Sequence, residues 1–210
     1  MIDSRDLLLF TVYLIIIFYV FYQARLSLRN EVRIEPDFDD LKNQLAEQNL
    51  QDLVTFSFKF RDKYRYSELA QLPVSIKNIS KNEETIRVDW DQSSITDFDN
   101  VTGRVIRITS GMTDIPQSQA LSTIVPNQMI DENLSDDKGI AGPLFKVEKF
   151  KKAVDRSASF YLRLFLMVSD PDTVPVKGVP YIGRSYPLSC QFLPKKLTWA
   201  RALSIALKPR

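Results

Sequence analysis

The stretch "DWDQSSITDFDN" places Asp89, Asp91, Asp97, Asp99 and Asn100 within twelve residues. Two D-x-D pairs offer the hard oxygen ligands that Ca²⁺ takes, provided the fold brings the pairs together. The same carboxylates could form a catalytic acid and base. Neither reading has a second signal. In "DFDNVTG" the glycine, Gly103, falls one position late for an EF-hand loop. Asp97 and Asp99 are also the residue type a turn requires, and Asp89 is expected to face solvent opposite Val88 and Trp90. No catalytic residue, metal-ligand set or cofactor is assigned on this basis. Asp89, Asp91, Asp97 and Asp99 stand only as Ca²⁺ candidates, and they carry the alternative reading. That alternative is an extracytoplasmic envelope domain binding a ligand or Ca²⁺ through Asp89–Asn100.

Histidine is absent and there is one cysteine. The absence removes Ser-His-Asp and Cys-His arrangements, the usual zinc sites and the commonest general base near neutral pH. A single thiol cannot close an internal disulfide. Cys190, in "SYPLSCQFL", is expected to be a small buried hydrophobe. These features disfavour an enzyme.

Charge is unevenly distributed. Residues 31–143 hold 12 Lys/Arg against 20 Asp/Glu, whereas residues 144–210 hold 13 against 4. Lys149, Lys151 and Lys152 cluster, as do Lys195 and Lys196 with Trp199 close by. Together with Arg25, Arg29 and Arg33 they form the candidate membrane or partner surface, suited to anionic lipid or an acidic protein. The competing expectation is that interleaved strands neutralise these charges in space. A net charge of only +2, without a base-reading motif, excludes nucleic acid as a partner.

The elements that must position these residues begin with "DLLLFTVYLIIIFYVFYQAR". No charge interrupts it between Asp6 and Arg25, and Leu7 to Tyr22 is apolar or aromatic apart from Thr11. Those 18 residues, Leu7 to Ala24, would span about 27 Å as a helix, close to a bilayer core of about 30 Å. Tyr19 and Tyr22 suit an interfacial belt. The first six residues lack a basic n-region and no A-x-A-like site follows, so a retained single span is expected over 1–25 rather than a cleaved signal. Arg25, Arg29 and Arg33 follow the span, while Arg5 is opposed by Asp3 and Asp6. The positive-inside bias therefore favours a cytoplasmic position for the remainder.

Residues 26–53 read as a juxtamembrane linker. If the first helix continues, its arginines form one stripe up to Pro36, after which an Asp-capped helix begins. Residues 54–210 switch to period two. "VTFSFKF", "LPVSIKNIS", "TIRVDWD", "GRVIRIT", "LSTIV", "LFKVEKF", "SFYLRLFLMV" and "RSYPLSCQF" read as strands separated by turn residues. The "SFYLRLFLMV" strand is expected to be central and covered on both faces. The pattern predicts a mainly β fold, an antiparallel β-sandwich with Ig-like architecture but no Cys…Trp…Cys signature. "LTWARALSIAL" fits either a strand or a helix. The function expected from this organisation is a single-pass, membrane-anchored, non-enzymatic binding or assembly module whose partners are other membrane proteins.

Overall fold

A computed structural model describes residues 4–28, 31–81, 84–108, 118–137, 142–169 and 184–198, with side chains in the first helix described for residues 5 and 7–23. The helices are α1 (Ser4–Leu28), α2 (Phe38–Glu47) and α3 (Val147–Asp155). The first five strands are β1 (Glu31–Pro36), β2 (Val54–Phe58), β3 (Tyr64–Arg65), β4 (Leu72–Asn78) and β5 (Thr85–Thr96). Then follow β6 (Thr102–Arg107), β7 (Ser122–Ile124), β8 (Met129–Asp136), β9 (Phe160–Ser169) and β10 (Arg184–Lys196).

The strands form one curled antiparallel sheet, a half-barrel, in the order β2-β4-β8-β6-β5-β9-β10-β1-β3, with β7 also paired to β5. The curl follows from connectivity. β2 and β3 end the path on opposite sides, yet only residues 59–63 separate them in sequence. Laid flat at about 4.8 Å per strand, the ends would stand about 38 Å apart. The chain from Phe58 to Tyr64 reaches about 21 Å at most. The sheet must therefore bend round until its two edges approach. Aromatic rings fill the gap: Phe58 and Phe60 lie edge-on to Phe192 at 4.9 and 5.6 Å, and Phe60 meets Tyr64 at 6.4 Å.

The expected two-sheet sandwich is thereby corrected. β6 pairs with β5 over Ser94–Thr96, then leaves it to pair with β8, so the two halves of the sheet are continuous. The divergence starts at a bulge. Asp89 faces Phe165 and Ser94 faces Arg163, so β5 takes five steps where β9 takes two. The concave side holds the core, where Ile86, Val88, Trp90, Phe160, Leu162, Leu164 and Phe192 are all fully buried. Each of the large apolar groups there contributes about 1.5–3 kcal/mol by leaving water.

Asp37 caps α2, its Oδ1 accepting from the N–H groups of Asp39 and Asp40 at 3.2 and 3.1 Å. Leu41 and Leu45, four apart, bury one stripe. α2 also protects an edge. β1 covers β10 only as far as Phe192, and beyond that point the Gln44 side chain bonds both the N–H and the carbonyl of Ser189 at 2.8 Å.

Four further expectations are corrected. α1 stops at Leu28 and Arg33 lies in β1, so no continuous helical stripe of arginines reaches Pro36, which ends a strand. "LFKVEKF" contributes to α3 rather than a strand, because Phe150, Ala153 and Val154 recur at helical spacing and are the residues buried. β9 is central, but its outer face is only half covered, with Arg163 exposed. Among the described residues no helix is long and apolar enough to cross a membrane. The described uncharged run of α1, Leu7–Gln23, covers about 26 Å against a core of about 30 Å, so the expected span Leu7–Ala24 is not supported. β8, "MIDENLSD", was not expected at all. Trp199 and the ambiguous "LTWARALSIAL" run, from Trp199 onward, lie outside the described residues.

Candidate functional site

The described basic residues among those singled out in the sequence, Arg33, Lys149, Lys195 and Lys196 with their neighbours, lie at the end of the sheet where α1 leads in. β10 runs antiparallel to β1, so Lys196 pairs with Val32 and Lys195 with Arg33 at the start of β1. β9 begins at the same end, Phe160 facing Phe192, and Thr96 of β5 pairs with Tyr161. The turn between β5 and β6 therefore lies there too. α3 closes this end: Phe150 meets Tyr66 at 5.6 Å and Phe98 at 5.7 Å, and Phe145 packs on Phe160 at 4.9 Å.

Among the described residues most of these cations are matched. Lys149 Nζ stands 2.9 Å from Asp99 and 3.4 Å from Asp97. Lys195 reaches Glu35 at 2.8 Å, Lys196 reaches Asp155 at 2.5 Å, and Arg33 lies 3.9 Å from Glu35. Lys63 bonds Glu31 at 2.7 Å. Lys151 and Lys152 project from α3 into solvent. The side chain of Arg25 and the whole of Arg29 and Trp199 are outside the described residues. Among the described residues the surface is a set of acid–base pairs with two exposed lysines, Lys151 and Lys152, on α3.

The aspartates are placed at two separate features. Asp89 and Asp91 belong to the bulge. The Asp89 carboxylate accepts from the N–H groups of Asp91 and Gln92, closing its own turn. Asp91 bonds the Arg104 guanidinium, the Ser118 hydroxyl at 2.9 Å and the Gln119 N–H at 3.1 Å. The Arg104 bond, followed by those from Ser118 and Gln119, holds the Asp91 carboxyl below its ordinary range. Asp97 and Asp99 belong to the β5–β6 turn, where Asp97 accepts from the N–H groups of Asp99 and Val101 at 2.9 Å. Hydrogen bonding to Lys149 lowers the Asp99 pKa and raises that of Lys149. Among the described residues no three His, Cys, Asp or Glu side chains are grouped to hold a metal ion.

A cleft of about 270 Å³ opens beside this turn, lined by Ile95, Asp97, Val101, Asp136, Leu144 and Lys149 among others. Its titratable groups are acids and lysines, with no hydroxyl or thiol nucleophile among its lining residues. Cys190 is buried elsewhere in the core, and desolvation pushes its thiol up to about 12.

Sequence reasoning missed the polar network behind the bulge. Trp90 Nε1 donates to Ser122 Oγ at 2.8 Å, while the Arg107 guanidinium lies 5.5 Å from the Trp90 ring and reaches Ser122, Ala120 and Glu132. Gln119 donates to the Val105 carbonyl at 2.6 Å and accepts from the Arg107 N–H at 2.9 Å. The one signal for it was the break in alternation after Trp90. Comparison with protein-family models, curated proteins and solved structures found no match for the chain.

Proposed function

We propose that this chain is a membrane-tethered, non-enzymatic binding and assembly module, with α1 embedded in a bilayer and the curled sheet held against the bilayer surface. One observation carries the reading. The large apolar side chains of α1 are exposed around its whole circumference, Leu8 at 64%, Phe18 at 71% and Phe21 at 71%. None of them joins the core of the sheet. In water such a helix would forgo about 1.5–3 kcal/mol for each large apolar side chain, so its chemistry calls for an apolar medium. The uncharged run is a few ångströms short of an average bilayer core, a mismatch that local thinning and snorkelling of flanking residues accommodate.

A tether of this kind gives weak contacts effect, because confinement to one membrane raises the local concentration of partners in that membrane. Other membrane proteins are therefore the partner class. Arg25, Arg29 and Arg33 favour a cytoplasmic sheet.

The test expresses the full chain with a reporter at Arg210 that is active only in the cytoplasm, and extracts the membranes at alkaline pH. Retention in the pellet with an active reporter is expected. Ile15→Lys with Phe18→Lys should release the chain, since each lysine at the centre of a span costs about 3 kcal/mol. Extraction of the unaltered chain would overturn the tether. A silent reporter on a retained chain would overturn the orientation alone.

A further inference from the structure

We infer that α3 and the turn between β5 and β6 dock on the anionic phospholipid surface of the bilayer that holds α1. The inference rests on the tether reading and deepens it, by naming the face that meets the membrane and the lipid class it selects. The fold places this face at the end of the sheet nearest α1. Glu31 follows Leu28, the last residue of α1, by three residues, which bounds their separation at about 11 Å. Val32, the next residue of β1, pairs with Lys196, and Lys196 bonds Asp155 of α3. Lys149 ties the β5–β6 turn to the same helix through Asp97 and Asp99.

Charge is the first property that sets the face apart. "KVEKFKKAVDR", Lys146 to Arg156, holds five cations and two acids. Lys149 is matched by Asp97 and Asp99, and Asp155 by Lys196. Lys146, Lys151, Lys152 and Arg156 are exposed and, among the described residues, have no carboxylate within ion-pair distance. Glu148 is the one acid of the segment left to oppose them. Their counter-ions come from outside the fold, and anionic headgroups supply them at the surface that α1 enters. The cytoplasmic orientation proposed for the sheet turns it toward the leaflet where such lipids concentrate.

Apolar exposure in the same place is the second. Val101 and Val147 are 47% and 41% exposed. Val101 lines the cleft at the start of α3 together with Lys146 and Lys149, and Val147 opens the helix directly after Lys146. Apolar side chains set among lysines are what an interfacial surface presents to anionic lipid. A second copy of the chain fits this face poorly, because a two-fold contact would set its unmatched lysines against their own equivalents. The exposed Met129 is at the opposite end of the sheet, since β8 runs from it toward Asp136, which pairs with Val105 of β6.

Cys190 is buried, so a cysteine introduced at an exposed position can be labelled selectively in the native chain. Full chains bearing Val101→Cys, Val147→Cys or Met129→Cys each receive one fluorophore. They are reconstituted into vesicles of phosphatidylcholine with or without phosphatidylglycerol and floated to establish that they are bound. Quenching by nitroxide-labelled phospholipid is then read. With phosphatidylglycerol present, quenching at positions 101 and 147 should exceed that at position 129 by about twofold or more. The margin should be lost without phosphatidylglycerol, and lost when Lys146, Lys151, Lys152 and Arg156 are all changed to Gln. A chain that floats with equal quenching at all three positions overturns this inference and leaves the tether standing. So does a margin that survives in phosphatidylcholine alone or in the glutamine variant. A chain that fails to float overturns both readings.

Discussion

Lys149 Nζ lies 2.9 Å from the Asp99 carboxylate, joining α3 to the turn between β5 and β6. The same ammonium reaches Asp97 at 3.4 Å. What reads in sequence as half of a divalent-cation site is, in the fold, the acidic side of a lysine contact. The contact has structural sense, since α3 covers the end of the sheet through Phe150 and its exposed face would otherwise be linked to the turn only by aromatic packing.

The pair fixes the sign of a pH dependence. Asp99 is lowered below 3.8 by hydrogen bonding to Lys149, and Asp131 is lowered by Lys59 and Ser75. A carboxylate whose folded pKa is depressed stabilises the fold above its unfolded value, and that contribution is lost as pH falls through the folded value. Lys149 is raised above 10.5, so its contribution is complete below 10.5 and disappears as pH rises beyond its folded value. Thermal melts of the full chain in detergent should therefore show a falling Tm below pH 3.8. Lys149→Met should make that fall shallower and leave the Tm near pH 7 changed only slightly, as is usual for exposed pairs. Identical acid limbs in the two proteins would mean that solvent screens the contact.

Cys190 supplies a second pH-linked expectation. Its thiol sits fully within the core, and burial pushes its pKa up to about 12, far from the thiolate that reacts with electrophiles. At pH 8 a chromogenic disulfide reagent should label the native chain hardly at all over an hour, then react with one equivalent after denaturation, as the chain has a single cysteine. Cys190→Ala should cost about 1–2 kcal/mol in denaturant unfolding, the usual scale for losing a small buried group. Rapid labelling of the native chain would show that β10 opens around this position.

How much of this could be read in sequence depends on whether local pattern or distant pairing decides the outcome. β2, β4, β5, β9 and β10 were legible because their inward residues, such as Val54 and Phe56 or Phe160 to Leu166, are strongly apolar and alternate strictly. The Asp37–Asp40 cluster announced the start of α2, and in the fold Asp37 is the residue that caps it. β8 was not legible, because Asp131, Asn133 and Glu132 interrupt any apolar alternation and it becomes a strand by pairing with β4 and β6. α3 was read at the wrong period because "LFKVEKF" ends at Phe150, where Phe145 and Val147 alternate as in a strand, and its helical spacing shows only when Ala153 and Val154 are included. Closure of the sheet rests on residues 59–63 joining its two ends, a property of pairing order that no window of sequence contains. The candidate surface was legible as a set of cations; the acids that match them were not, since Glu35 and Asp155 are brought in from distant parts of the chain.

Gln119 is the least foreseeable structural residue and gives the sharpest stability prediction. β6 separates from β5 at the bulge, which leaves Val105 and Arg107 with backbone groups facing a gap where a strand would normally run. The Gln119 amide fills it, donating to Val105 and accepting from Arg107 as a neighbouring peptide unit would, while itself 7% exposed. Gln44 does the same for Ser189 on β10, so one type of side chain twice completes a ladder that the strands leave unfinished. Replacing Gln119 by Leu keeps the volume and removes both bonds, stranding a buried donor and a buried acceptor at a cost of about 1–3 kcal/mol each when water cannot enter. Gln119→Glu retains the acceptor for the Arg107 N–H but replaces the donor to Val105 with a carboxylate oxygen facing the Val105 carbonyl, a buried repulsion. Denaturant unfolding should place both Gln119→Leu and Gln119→Glu below the unaltered chain. Amide exchange at Arg107 should quicken markedly in Gln119→Leu while that of Leu164, in the centre of β9, changes only through global stability. Equal exchange at Arg107 in all three proteins would mean that the gap is bridged by solvent and that the glutamine is dispensable to β6.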